Sequence, residues 1–283
     1  MTKHRKIAWT LLAVIVTGLA ATGVADGVSD DYADQALKRA LVTFAVARSL
    51  NGVISVAQGT EVAVEPGGVG VNLTVGEILD PINDLIEQFS SVMLVAASSL
   101  GLQKILLGMA GWWGLTLVLA LAGVFLAVSA WWPGGKGAKF VTLAARVFFV
   151  MAFLRFALPL LIIATHLVFS TFLQSEHDAA TSVLEATSSQ IEAFNDEEAP
   201  PANEDASFME SLGDMIDSSM RRLDVSGRLD RLRDSASQAS EQIVNLIVIF
   251  VLQTIILPLA FLWLFVEGLK RVVGRAISGG GEA

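Results

Sequence analysis

The stretch RVFFVMAFLRFALPLLIIATH, from Arg146 to His166, has the apolar character of a membrane helix but carries two arginines and a proline. A helix satisfies its own backbone in lipid, whereas a guanidinium there needs partners from other segments. Arg146 lies beside Lys136 and Lys139 in sequence and can snorkel to the membrane edge. Arg155 sits nine residues deeper, about 13 Å along a helix axis, near the expected middle of a bilayer. Ionised at that depth it costs at least ~2.5 kcal/mol, so it should face protein or water. Pro159 removes the N–H that would bond the carbonyl of Arg155, so the deep charge coincides with a kink and a freed acceptor.

The run from Val147 to Phe172 is one of four long apolar stretches; the others are Ile7–Ala25, Ile105–Trp132 and Ile243–Val266. Each reaches the ~18 residues a spanning helix needs. Composition agrees: the 283 residues are 53% hydrophobic and 17% charged, too apolar for an ordinary soluble domain. The mean hydropathy is +0.61. There is no cysteine, which excludes disulfides and thiol catalysis.

In the second run the pairs Trp112-Trp113 and Trp131-Trp132 stand apart by about 27 Å of helix, close to a hydrocarbon thickness of ~30 Å, and read as two aromatic belts. The first run, with basic MTKHRK before it and LAATGVA at its end, reads equally as a signal peptide cut after Ala25 or as a retained signal anchor.

Basic clusters set the orientation. Lys3, Arg5 and Lys6, then Lys136, Lys139 and Arg146, then Lys270, Arg271 and Arg275 belong on the cytoplasmic side. From Asp26 to Ala110 there are ten acidic and four basic residues, and from Gln174 to Gln242 sixteen and five, so both acidic blocks fall outside. The expected fold is mostly α: a polytopic helical membrane protein with four apolar spans, two extracytoplasmic helical excursions and one small β-hairpin. It divides into 1–25, the signal or anchor; 26–110, the first excursion; 111–132, a crossing; 133–146, a cytoplasmic loop; 147–172, a crossing kinked at Pro159; 173–242, the second excursion with a flexible acidic linker at 195–206; 243–266, the last crossing; and 267–283, a cytoplasmic tail.

Within the first excursion a helix is expected from Asp30 to Gln58, with Leu37, Leu41, Phe44 and Ile54 on one face. In TEVAVEPGGVGVNLTV, Val62, Val64, Val71, Leu73 and Val75 alternate around Pro-Gly-Gly, the pattern of a hairpin. A second helix starts at Asp80-Pro81 and continues into the second crossing, with Ile82, Leu85, Ile86, Phe89, Met93, Ala96 and Leu100 sharing a face. It competes with an extra crossing over Val92–Gly111.

In the second excursion Val183, Ile191 and Phe194 give a weak stripe, whereas Leu229, Leu232, Ala236, Ala239, Ile243 and Leu246 form a heptad seam leading into the last crossing. That seam serves either an intramolecular helix pair or association between subunits.

The last crossing has its own proline. Pro258 frees the carbonyl of Thr254, next to Gln253, and these two residues or Glu267 are the expected partners of Arg155 in an intramembrane polar clasp or gate. No phosphate loop, dinucleotide fingerprint, HExxH or nucleophile elbow is present. His177 in SEHD reads as part of a solvated charge cluster. Neither a catalytic centre nor a metal or cofactor site is expected, and a net charge of −9 disfavours nucleic acid. The sequence therefore points to a non-enzymatic component of a bacterial-type inner membrane, binding lipid, copies of itself or an envelope protein; the alternative is an oligomeric channel lined by the third and fourth crossings.

Overall fold

A computed structural model of the chain describes residues 3–58, 75–132, 137–197, 231 and 233–278. These residues are almost entirely helical, and no strand occurs among them. The helices are α1 (Lys3–Thr22), α2 (Val24–Gln58), α3 (Val75–Ala110), α4 (Trp113–Trp131), α5 (Gly137–Val168), α6 (Gln174–Glu197), α7 (233–251) and α8 (Leu257–Ser278). A π-helical turn, Phe169–Leu173, joins α5 to α6, and a second, Leu252–Ile256, joins α7 to α8.

The mostly α class is thus met, but the hairpin finds no support. Val62, Val64, Val71 and Leu73 lie outside the described residues, while Val75, assigned to the same hairpin, opens α3. Of the linker expected at 195–206, the first three residues end α6 and the rest lie outside the described residues.

Among the described residues six helical stretches are long and apolar enough to cross a membrane, two more than the four apolar runs. The additions, Val24–Val56 and Leu79–Ala110, carry charges that made them read as water-facing. The helix starting near Asp80 does not run on into the second crossing. It ends at Ala110, and Trp112 is extended (φ −60°, ψ 132°) before α4 begins. Gly114 permits this junction, because a β-carbon there would stand 2.4 Å from the Trp112 ring. A comparable break separates α1 from α2 at Gly23, whose φ of +64° favours glycine.

The chain forms two compact units. The first comprises Met1–Arg39, Ala96–Phe172 and Val251–Ala283. In it α1, α4 and α5 pack around Ala13, Ala20, Leu119, Leu126, Ala144 and Phe148, all buried. Gly123 allows a close approach: a β-carbon there would lie 3.0 Å from Thr17 Oγ1 and 3.3 Å from Phe148. A second cluster, Ala33, Leu107, Leu161 and Ile162, is sealed by Tyr32, Leu158, Phe261 and Phe265.

The second unit comprises Ala40–Val95 and Leu173–Phe250. Its interior is four stripes of identical spacing. Ala40, Thr43, Ala47, Leu50 and Ile54 lie on α2; Leu79, Ile82, Ile86, Phe89 and Met93 on α3; His177, Ala180, Leu184, Thr187 and Ile191 on α6; and Ala236, Ala239, Ile243, Leu246 and Phe250 on α7. Steps of three and four residues throughout are the heptad pattern of a left-handed four-helix bundle. The face expected on α2 is corrected by this pattern: Leu41 is 51% exposed, and small residues turn inward where helices approach closely. The α6 stripe likewise runs through Leu184 rather than Val183.

Candidate functional site

Two polar sites lie inside the first unit. At the first, Arg155 on α5 is 2% exposed. Its Nη1 donates to Asp26 Oδ1 at 2.6 Å and its Nη2 to Asp26 Oδ2, giving the two-pronged geometry that suits guanidinium and carboxylate. Nε donates to Thr116 Oγ1 at 3.0 Å, and Nη2 also donates to the Ala20 carbonyl at 3.2 Å. Four helices thus converge on one side chain.

Local chemistry explains the fit. Gly23 ends α1, which frees the Ala20 carbonyl and lets α2 start again with Asp26 in its first turn, where a carboxylate is favoured. Gly111 closes the far side; a β-carbon there would come within 3.6 Å of the Asp26 carboxyl carbon.

The partners expected for Arg155 were Gln253, Thr254 and Glu267, and the structure replaces them with Asp26, Thr116 and Ala20. Glu267 pairs along its own helix with Arg271 at 3.2 Å and Lys270 at 3.9 Å. Gln253 and Thr254 belong to the second site, at the π turn before α8. The freed Thr254 carbonyl is used as the proline chemistry implies: Ser99 Oγ donates to it at 3.4 Å, and Gln103 Nε2 donates to Ser99 Oγ at 3.5 Å.

Beside this chain is a small cavity bordered by Tyr32, Arg39, Gln103, Thr165, His166 and Gln253 among others. Gln253 is 2% exposed and its Oε1 has no partner; the same holds for Thr165 Oγ1 and His166 Nδ1. The His166 ring stacks on Tyr32 with centroids 3.7 Å apart. The Arg39 guanidinium lies 4.1 Å over the Phe169 ring. Sequence reading found Gln253 through the neighbouring Pro258 but missed Arg39, Thr165 and His166. Three polar residues within two turns of apolar sequence, Thr165, His166 and Ser170, were the available signal.

The remaining candidates fall as follows. Pro159 lies inside an unbroken α5. The seam residues Ala236, Ala239, Ile243 and Leu246 are buried within the single chain, so the intramolecular alternative accounts for them without a second subunit. Leu229 and Leu232 lie outside the described residues. Trp112, Trp113, Trp131 and Trp132 are all exposed, as is Arg146. At one end of the helices Trp131 Nε1 donates to Thr10 Oγ1 at 3.1 Å and Lys6 stands over the Trp131 ring.

In the second unit His177, expected in a solvated cluster, is 6% exposed. It meets Thr43 Oγ1 at 3.3 Å, Asp178 Oδ1 at 3.1 Å and the edge of Phe250. Among the described residues no group of three or more His, Asp or Glu converges on a possible metal position.

Long apolar helices with outward-facing Leu, Val, Ile and Trp fit the class of helical membrane proteins. Comparison of the chain with protein-family models, with curated proteins and with solved structures finds no match.

Proposed function

We propose that this chain is a non-enzymatic integral protein of a bacterial-type inner membrane, with its C-terminus cytoplasmic and its acidic helical regions outside, where they bind an envelope partner or further copies of the chain. The observation that carries this reading is the inward-turned Arg155. Its charge is matched by Asp26 and its donors are used by Thr116 and Ala20, so it fastens helices together rather than lining a path for ions.

The same packing favours a retained α1. Removing residues up to Ala25 would strip Ala13 and Ala20 from the first unit's core and the Ala20 carbonyl from Arg155. Lys6 beside Trp131 suits a cytoplasmic interface holding the first and second basic clusters.

Outside the membrane the heptad stripes are filled within one chain, so recognition falls to the outward faces. Asp84, Glu87, Glu185, Glu192 and Glu241 are exposed there, a surface suited to a basic partner.

A channel reading retains one supporting observation, the polar cavity between the third and fourth apolar runs. Its volume of about 20 Å³ is room for one small occupant rather than for a passage. The test is the mass of full-length particles in native-lipid nanodiscs, with cross-linking through lysines introduced at Glu185 and Glu192. Monomers or dimers that capture a defined envelope protein through the acidic face support the proposal. A closed ring with conductance abolished by Arg155→Leu refutes it.

A further inference from the structure

The cavity at the second π turn is a built polar site in apolar surroundings. Gln253, Thr165 and His166 border it, each with a buried polar atom that has no hydrogen-bond partner, and Gln253 and Thr165 are more than nine-tenths buried. Polar atoms left in this state are costly, so an occupant that hydrogen-bonds to them is favoured.

Size narrows the choice. About 20 Å³ is room for one small species of roughly the size of a water. The lining then indicates charge. Arg39 contributes a permanent cation, held in place over Phe169. The Thr165 hydroxyl and His166 Nδ1 can each present a proton, and a flip of the Gln253 amide sets an N–H where its unpartnered oxygen stands. Among the described residues lining the cavity none is acidic. A pocket that can offer several donors beside a guanidinium, in surroundings of low dielectric, suits an anion. We propose that it binds a single halide ion, chloride under ordinary conditions, bridging α2, α5 and the π turn.

Bromide is the probe. Crystals of the full-length protein grown in sodium bromide should show an anomalous peak inside the cavity, within hydrogen-bonding distance of Thr165 and Gln253. In nanodiscs at equal ionic strength, the Tm in sodium chloride or bromide should exceed that in sodium gluconate by about 3 °C. Thr165→Val, which keeps the side-chain shape, and Arg39→Gln should each remove at least half of that difference while the helical circular dichroism stays intact. If Arg39→Gln does not fold, Thr165→Val alone decides. An ordered water without anomalous signal, an empty cavity, equal Tm in all three salts, or a halide shift that survives Thr165→Val overturns the proposal.

Discussion

Changing Asp26 to asparagine keeps the shape of the clasp while removing its negative charge. Arg155 then remains 2% exposed with its Thr116 and Ala20 bonds but without a counter-charge. Removing one member of a buried pair costs about 3–5 kcal/mol, because the other charge stays desolvated. Asp26 is 27% exposed, so water reaches one side of the pair and the lower figure, about 3 kcal/mol, applies. At 2–4 °C per kcal/mol, that corresponds to a fall in Tm of roughly 6–12 °C. Arg155→Met should cost a similar amount, leaving the carboxylate stranded. The double variant Asp26→Asn with Arg155→Met buries neither charge and should regain most of the loss, which gives a coupling of about 2 kcal/mol or more across the cycle. Thermal unfolding in nanodiscs, followed by circular dichroism and a particle-mass check, measures all four corners. If Asp26→Asn changes stability by less than 0.5 kcal/mol, as an order-of-magnitude limit for a surface change, or if the double variant loses the sum of the singles, the pair does not hold the helices as argued.

Three further outcomes follow from the geometry. Gly23→Ala should destabilise by about 1 kcal/mol through its left-handed φ, with Gly23→Asn less affected, as read by Tm. Gly123→Leu has no room between Thr17 and Phe148 and should cost about 1–3 kcal/mol, visible as faster proteolysis near the α1–α4 contact. Ala239→Glu, at a position 0% exposed in one chain, should lower Tm while leaving particle mass unchanged; a shift to smaller particles at unchanged Tm would place the seam between subunits instead.

How much was legible in the sequence differs by element. Long apolar runs, the heptad seam of α7 and the face of α3 from Ile82 to Leu100 were readable because bulky apolar residues mark them. The α2 stripe was hidden, since Ala33, Ala36, Ala40, Thr43 and Ala47 bury little area each and give a weak periodic signal. The same weakness displaced the face onto Leu41. Arg155 was recognisable as a residue in need of partners, but Asp26 is 129 positions away and stands just past an apolar run, where it read as the first exposed residue of an external block. A depth argument would have found it: a chain break at a glycine followed within one turn by an acid can place that acid inside a helix assembly. The proline chemistry at Pro258 was correctly read for the Thr254 carbonyl, and only the identity of its donor, Ser99, lay beyond local sequence.

The clasp also bears on the order in which the chain is made. Ala20, Asp26 and Thr116 all precede Arg155 in sequence, so α1, α2 and α4 have left the ribosome before the guanidinium emerges. The latecomer among the four helices is the one carrying the cation, and its acceptors can already be assembled at the insertion site. Swapping the two charges, arginine at 26 and aspartate at 155, would preserve the pair but reverse the sequence of events. An early lone arginine would then have to wait through nearly half of translation for its counter-ion.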